Sequence, residues 1–218
     1  MPDNAPALRG LLMDWGGVLT PGLDVALGRW AELEDLDFDA FYRAITEWLA
    51  VSPVEAGLNP VHALERGLIA VPDFERQLAA RLRRRDGEPV PAQGLIERMF
   101  AHFEHQPQMS ALVRRARQAG IRTALLSNSW GNTYPLDAWD GVFDTLVISG
   151  EVGLRKPEPE IFHLAADRLG LQPAECVMVD DLAPNVEAAR ALGMTAVLHT
   201  SYDATRRELE TFFGIGLT

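Results

Sequence analysis

The sequence predicts an α/β fold, a Rossmann-like parallel sheet core with an inserted all-helical cap domain. Two observations predict it. In the second half of the chain, short apolar strands alternate with helical patterns, which is typical of βαβ units. Between the first strand and this region, residues 24–103 show helical periodicity and no convincing strand. We therefore expect one sheet with a helical insertion after its first strand.

The predicted sheet has five strands, each a short apolar run: Leu8–Met13, Ile121–Leu126, Thr145–Ile148, Cys176–Val179 and Thr195–Leu198. Helical patterns precede or follow the later strands: Ser110–Ala119, Pro159–Leu169, Asn185–Leu192 and Asp203–Phe213. Three of these helices are followed by a glycine, at Gly120, Gly170 and Gly193. A glycine in the left-handed conformation commonly ends a helix, so these positions support the predicted boundaries.

The insertion has apolar residues at helical spacing. They predict the buried faces of three helices: Trp30, Leu33, Phe41, Ile45, Trp48 and Leu49 for two of them, and Phe74, Leu78 and Leu82 for another. The joints are expected near Pro21-Gly22 and Gln106-Pro107. The predicted domains are a core of residues 1–20 and 106–218 and a cap of residues 21–105, called the insert below.

Composition limits the possible partners. The chain has 218 residues, 47% hydrophobic and 23% charged, and its formal net charge of −11 argues against nucleic acid and anionic membranes as partners. The single cysteine, Cys176, excludes an intramolecular disulfide and fits a reducing cytoplasm. Residues 1–10 do not resemble a signal peptide, and no apolar run is long enough to span a bilayer. The oligomeric state cannot be predicted from these features.

Polar or charged residues stand at the ends of four predicted strands. Asp14 follows the first strand and Ser127-Asn128 the second, Arg155-Lys156-Pro157 comes after the third, and Asp180-Asp181 follows the fourth. Each has an ordinary structural explanation, such as a helix cap or an exposed loop. Ligands of open α/β sheets bind at the carboxyl ends of the strands, so the coincidence of all four predicts a site. The side chains suit a carboxylate nucleophile, a hydroxyl donor, a fixed cation and ligands for a hard divalent ion.

These four segments resemble the motifs of the haloacid dehalogenase-like hydrolase superfamily, and the insert resembles its first type of helical cap. Three sequence motifs are similar to those of its small sugar-phosphatase branch, which includes glucose-1-phosphate phosphatases. They are Leu-Ser-Asn at residues 126–128, Gly-Leu-Arg-Lys-Pro-Glu at residues 153–158 and Asp-Asp-x-x-x-Asn at residues 180–185. The resemblance implies that Asp14 attacks a phosphomonoester and forms an aspartyl-phosphate.

The resemblance also implies roles for the remaining positions. Ser127, Asn128 and Lys156 are implied to bind the substrate, and Ser127 and Lys156 are implied to act in catalysis with Asp14. The implied cofactor is Mg²⁺, with Asp14, the backbone carbonyl of Gly16, Asp180 and Asp181 as its ligands, Asp181 the more direct of the two neighbouring acids. Asn185 is expected either to orient this acidic loop or to cap the following helix.

Gly16 departs from the pattern, because most phosphatases of this family carry an acid/base aspartate there. The absence of this aspartate removes a general acid/base, a contribution of about 10²- to 10⁴-fold in rate. The expected function is a Mg²⁺-dependent phosphatase of a small phosphorylated metabolite. A sugar phosphate is favoured, because the sugar oxygen of an anomeric phosphate needs little protonation to leave. Two alternatives stay open: a catalytically weakened ligand-binding or regulatory module, and a metal-free dehalogenase. Substrate identity is expected to reside in the insert, where Trp48 and His62 are candidates, and Trp15 and Trp130 either pack or stack on a sugar.

Overall fold

A computed structural model describes residues 7–49 and 59–217 of the chain. Five parallel strands form one sheet in the order β3-β2-β1-β4-β5. The strands are β1 (Gly10–Met13), β2 (Arg122–Ser127), β3 (Thr145–Ile148), β4 (Cys176–Asp180) and β5 (Thr195–Leu198). All five predicted strands are present. β1 lies at the centre of the sheet between β2 and β4, so Asp14, the residue after β1, emerges in the middle of the carboxyl edge.

Ten α-helices accompany the sheet in the described part of the chain. Five precede β2 as part of the insert: α1 (Leu23–Leu33), α2 (Phe38–Leu49), α3 (Pro60–Glu65), α4 (Val71–Arg81) and α5 (Leu95–Phe100). Five belong to the sheet region: α6 (Pro107–Gln118), α7 (Ser149–Val152), α8 (Pro159–Arg168), α9 (Ala183–Ala191) and α10 (Tyr202–Phe213). The three glycines that are expected to end helices all have positive φ, between 64° and 92°.

The insert is helical, as its periodicity predicts, but two of its helices are not evident from the sequence. α3 and α5 have six residues each, too short to show a helical repeat. The prediction of inward-facing residues is wrong for Leu33 and Leu49, which are 68% and 47% exposed. Both are the last residues of their helices and lie beyond the packed turns. The two joints contact each other, since the backbone N–H of Gln106 donates to the carbonyl of Leu19 at 2.8 Å. Residues 50–58 of the predicted cap lie outside the described ranges.

The sheet separates two apolar clusters. Leu11 and Met13 of β1 point to the face covered by the insert, α6 and α10, whereas Leu12 points to the face covered by α8 and α9. Because the central strand is buried on both faces, it is apolar along its whole length. None of the helices in the two described ranges combines the length and the apolar character needed to cross a membrane.

Candidate active site

Asp14 is held at the centre of the sheet edge. Its backbone N–H extends the pairing with β4 by donating to the carbonyl of Val179 at 3.0 Å. One carboxylate oxygen, Oδ1, accepts the N–H of Trp15 at 2.7 Å. The residue is 7% exposed, and this burial raises the pKa of the carboxyl group. Its charged form therefore depends on nearby cations.

Lys156 supplies a cation at this position. Its Nζ lies 2.7 Å from Oδ1 of Asp14 and 2.7 Å from Oδ2 of Asp180, and its side chain is almost completely buried. Burial alone would lower the pKa of Lys156, but the two carboxylates outweigh it and raise the pKa. A buried lysine that bridges two acids keeps its charge and stabilises theirs. The structure therefore brings together three of the residues that the sequence singled out.

Asp180 and Asp181 have different surroundings. Oδ1 of Asp180 accepts the side-chain amide of Asn185 at 3.0 Å and the backbone N–H of Leu182 at 2.9 Å. Asn185 lies inside the first turn of α9 and orients the acidic loop, the first of the two roles expected for it. By contrast, Oδ1 of Asp181 is buried and has no hydrogen-bond partner among the described residues. Burial, with Asp180 beside it, raises the pKa of Asp181 to about 6.

The three carboxylates fit a divalent cation. Asp14, Asp180 and Asp181 each offer an oxygen, and these oxygens lie within 4.8 Å of one another. Hard cations such as Mg²⁺ prefer carboxylate oxygens, and an unpartnered buried oxygen at Asp181 is the kind of atom that a cation would satisfy. A cleft of about 450 Å³, lined in part by Gly17, Asp181 and His199, gives Asp181 access to solvent. The role of Gly16 as a backbone ligand stays a prediction.

The glycine pair after Trp15 leaves room for this acidic loop. Gly17 has a φ of 75°, and a Cβ there would lie 2.1 Å from Oδ2 of Asp181. Any side chain at Gly17 would therefore displace that carboxylate. A Cβ at Gly16 would have Cδ2 of Leu23 as its nearest neighbour at 3.3 Å, so a small side chain needs only a slight movement of that leucine. The absence of an acid at Gly16 is not imposed by the backbone.

Ser127 is the last residue of β2, and Asn128 follows it in contact with Lys156. The hydroxyl of Ser127 accepts a hydrogen bond from the hydroxyl of Tyr134 at 3.0 Å. The side-chain amide of Asn128 makes two hydrogen bonds to the backbone of Lys156. Its NH₂ group donates to the carbonyl of Lys156 at 3.0 Å, and its oxygen accepts the N–H of Lys156 at 2.8 Å. Asn128 thus fixes the segment that carries the lysine. Its predicted contact with substrate stays a prediction.

The aromatic candidates are packed. Trp15 contacts the rings of Phe100, Phe103 and Tyr134, with ring centroids 5.0 to 5.8 Å apart. Trp130 packs on Phe74 and Phe100. Trp48 is buried against Phe74, with the guanidinium of Arg81 above its ring. The three tryptophans therefore pack against other aromatic side chains.

A buried ion pair joins the insert to the residue before Lys156. Glu65, the last residue of α3, accepts the Nε–H of Arg155 at 2.5 Å and the indole N–H of Trp130 at 3.3 Å. Both side chains of the Glu65–Arg155 pair are at most 12% exposed. Burial, with help from Arg155 and Arg66, lowers the pKa of His62 to about 4. The insert thus contacts the segment that positions the lysine.

Sequence reasoning does not identify Tyr134 and Glu65. Tyr134 lies in the irregular segment after β2, and Glu65 lies in a helix of six residues. Neither has a periodic pattern or a neighbouring motif residue. A weak signal for Tyr134 exists in residues 127–133, which are mostly polar and form a long connection after β2.

Comparisons with known proteins identify sequence relatives and solved structures of the same fold. Over 137 residues the chain is 33% identical to a phosphoserine phosphatase of Thermus thermophilus, covering 59% of this chain and 55% of that protein. A HAD family enzyme of Bacteroides thetaiotaomicron, solved with magnesium and inorganic phosphate, superposes with a TM-score of 0.64 at 21% identity over 89% of this chain and 95% of that one. A dehalogenase solved as an intermediate complex gives 0.65 at 20% identity over 96% and 99%. These two structures show the shared fold.

The chain covers between 11% and 22% of the length of the first four curated relatives that it matches. The family profile reaches much further along this chain. The profile of haloacid dehalogenase-like hydrolases matches residues 8–193, which include every motif residue of the site described above. With the parallel sheet, the helical insert and the acid–lysine cluster in place, the chain belongs to the haloacid dehalogenase-like hydrolase family.

Proposed function

We propose that this hydrolase is a Mg²⁺-dependent phosphatase that acts on a small phosphorylated metabolite through an aspartyl-phosphate on Asp14. One observation carries the proposal. Lys156 bridges Asp14 and Asp180 at 2.7 Å, and the carboxylate of Asp181, with its unpartnered oxygen, stands beside them. This arrangement supports the proposal, because a carboxylate suited to nucleophilic attack, a fixed cation and oxygens suited to a metal lie at one sheet edge.

In the proposed reaction, a carboxylate oxygen of Asp14 attacks the phosphorus, a new O–P bond forms, and the bond to the substrate oxygen breaks. That oxygen leaves with the bonding electron pair and takes a proton from water. Water then cleaves the aspartyl-phosphate and restores the carboxylate. Lys156 holds Asp14 in place and offsets the negative charge of the transferring group. Ser127 donates a hydrogen bond to a phosphoryl oxygen.

A magnesium ion held by Asp14 and Asp181, with Asp180 and the Gly16 carbonyl nearby, would offset the repulsion between the carboxylate and the phosphate. Asp180 is already occupied by Lys156, Leu182 and Asn185, so the described contacts favour Asp181 as the direct ligand.

Gly16 shapes the expected substrate. With no side chain to protonate the leaving oxygen, the chain is best suited to esters whose leaving group needs little protonation. A sugar phosphate with its phosphate at the anomeric carbon meets that condition. The contacts between the insert and the sheet region favour a small substrate, because a cap over the site excludes large ones.

The second candidate is a ligand-binding or regulatory module with little turnover, and Gly16 is the observation that favours it. A metal-free dehalogenase fits less well, since the paired acids Asp180 and Asp181 would have no ion to hold. The fold resemblance to dehalogenases does not separate these reactions, because the fold is common to the family.

The test is phosphate release from a panel of sugar phosphates, nucleotides and an aryl phosphate, with Mg²⁺ or with chelator. We expect Mg²⁺-dependent release that falls by at least roughly 10³-fold in Asp14→Asn, because the amide is a poor nucleophile. Chloride release from a 2-chloro acid is measured in parallel.

Full activity in chelator would contradict the metal assignment, and retained turnover in Asp14→Asn would contradict the nucleophile. Binding of Mg²⁺ and inorganic phosphate without release from any ester would establish the binding module. Halide release without phosphate release would establish a dehalogenase.

A further inference from the structure

The hydroxyl of Ser127 is held by one neighbour in particular. The hydroxyl of Tyr134 donates to Oγ of Ser127 at 3.0 Å. Ser127 itself donates a hydrogen bond to the carbonyl of Asn128, at the long distance of 3.4 Å. Ser127 is 1% exposed, so water does not compete freely for its oxygen. The direction in which Ser127 presents its proton is therefore set mainly by Tyr134.

Tyr134 is itself fixed on both sides. Its ring lies edge-on to Trp15, with centroids 5.0 Å apart, and tilted against Trp139 at 5.7 Å. Its segment is tied by Asn132, whose side-chain oxygen accepts the N–H of Trp130 at 3.1 Å and contacts the hydroxyl of Ser129 at 3.3 Å. Burial raises the pKa of Tyr134, so the phenol stays protonated and remains a donor near neutral pH.

A serine hydroxyl has one proton and two acceptor lone pairs. When Tyr134 occupies one lone pair, the proton of Ser127 is directed away from the phenol. A donor into the oxygen also polarises its O–H bond and strengthens the hydrogen bond that Ser127 can make. Both effects improve a donor aimed at a phosphoryl oxygen, which develops charge during transfer.

We propose that Tyr134 is a positioning residue that orients the Ser127 hydroxyl toward the transferring phosphoryl group. The proposal rests on the proposed function for the identity of that group. Tyr134 acts through Ser127 and does not itself contact the phosphate.

The experiment is a double-mutant cycle with Tyr134→Phe and Ser127→Ala. Tyr134→Phe keeps the ring and removes the hydroxyl. We expect kcat to fall about 10-fold with little change in KM, and Ser127→Ala to lower kcat about 10²-fold as the loss of a direct donor. In the Ser127→Ala background, Tyr134→Phe should change kcat by less than about 2-fold, because its partner is gone.

Two control variants separate positioning from packing. Tyr42→Phe removes an exposed tyrosine hydroxyl from the insert and should leave kcat unchanged. Trp139→Phe loosens the same aromatic stack and leaves the phenol in place. If Trp139→Phe reproduces the loss in kcat of Tyr134→Phe, Tyr134 acts by packing and the proposal is overturned. Equal effects of Tyr134→Phe in both backgrounds also overturn it.

A second readout keeps the proposal separate from the proposed function. The same cycle is measured as binding of orthovanadate in the presence of Mg²⁺, because orthovanadate adopts the five-coordinate geometry of a transferring phosphoryl group. Absence of ester hydrolysis in the unmodified chain would overturn the phosphatase assignment alone. If Tyr134→Phe weakens orthovanadate binding and this difference is absent in the Ser127→Ala background, the positioning role is still supported. Unchanged orthovanadate binding in all variants would overturn it.

Discussion

At the scale of single residues, the site is defined by one lysine and by one missing side chain. Lys156 bridges Asp14 and Asp180 and is the charge that allows two buried acids to stand side by side. Gly16 has no side chain at the position where most phosphatases of the family carry an acid/base aspartate. The nearest atom to a Cβ at Gly16 belongs to the flexible side chain of Leu23, so the position accepts a substitution. The site can therefore be tested by adding a group as well as by removing one.

Gly16→Asp should restore proton transfer to the leaving oxygen. We expect hydrolysis of alkyl phosphates to rise by roughly 10²-fold and hydrolysis of an aryl phosphate to change little, because a phenolate leaves without a proton. Steady-state kinetics with both ester types measures the ratio. Gly16→Ala is the control for the added Cβ. An equal change for both esters, or a rise in the alanine variant, would contradict the acid/base explanation.

At the scale of secondary-structure elements, the end of β2 organises the segment after α7. The side chain of Asn128 makes two hydrogen bonds to the backbone of Lys156, which lies 28 residues further along the chain. A residue at the end of one strand thus holds the lysine that follows the next strand. The sheet edge and the hydrogen bonds of Asn128 together bring Lys156 into the site.

Asn128→Ala removes that bridge. The free energy of unfolding should fall by about 1 to 3 kcal/mol, since two backbone groups of Lys156 lose their partners. The activity per folded molecule should fall about 10-fold, because the lysine is no longer held against Asp14. Denaturant unfolding and kcat measurements check the two effects. Thr123→Val, which removes a buried side-chain hydrogen bond to Val142 at the other end of β2, should lose stability without this loss of activity.

Should Thr123→Val and Asn128→Ala lower kcat by the same factor, the effect on activity would come from destabilisation of β2 in general. A normal kcat in Asn128→Ala would show that the segment around Lys156 is held by its other contacts.

At the scale of the whole molecule, the insert and the sheet region meet through buried charge. Glu65 of α3 pairs with Arg155, and Arg66 pairs with Glu158. The backbone also comes close here, because a Cβ at Gly67 would lie 2.6 Å from the carbonyl oxygen of Gly150. The insert therefore rests directly on the segment that carries Lys156, and its position and the geometry of the site are linked.

Glu65→Gln should lower the free energy of unfolding by about 3 kcal/mol, because Arg155 keeps its charge in a buried place. The loss is at the low end for such pairs since Glu158 lies 3.8 Å from Arg155. Glu47→Gln, which breaks an exposed pair with Arg81, should change stability by less than about 1 kcal/mol. Chemical denaturation of both variants measures the difference. Equal losses would show that the buried pair adds nothing beyond a surface pair.

The amino-acid sequence is sufficient to predict the sheet and the side chains that stand at its carboxyl edge. Asp14, Ser127 and Asp180 stand at the ends of apolar runs that form buried strands. The carboxyl ends of parallel strands lie at the same edge of a sheet, so these polar residues come together there. Lys156 follows from the same reasoning, since it comes shortly after the third strand. The helical character of the insert follows from the spacing of Trp30, Phe41 and Phe74.

Only the packing of the folded chain determines how these groups are held. Tyr134 reaches Ser127 from an irregular segment, and Glu65 reaches Arg155 across 90 residues of chain. Side-chain contacts of this kind depend on where the insert and the loops pack, and no local pattern records them. The different surroundings of Asp180 and Asp181 also follow from packing, because Lys156 and Asn185 occupy the first carboxylate and leave an oxygen of the second without a partner among the described residues.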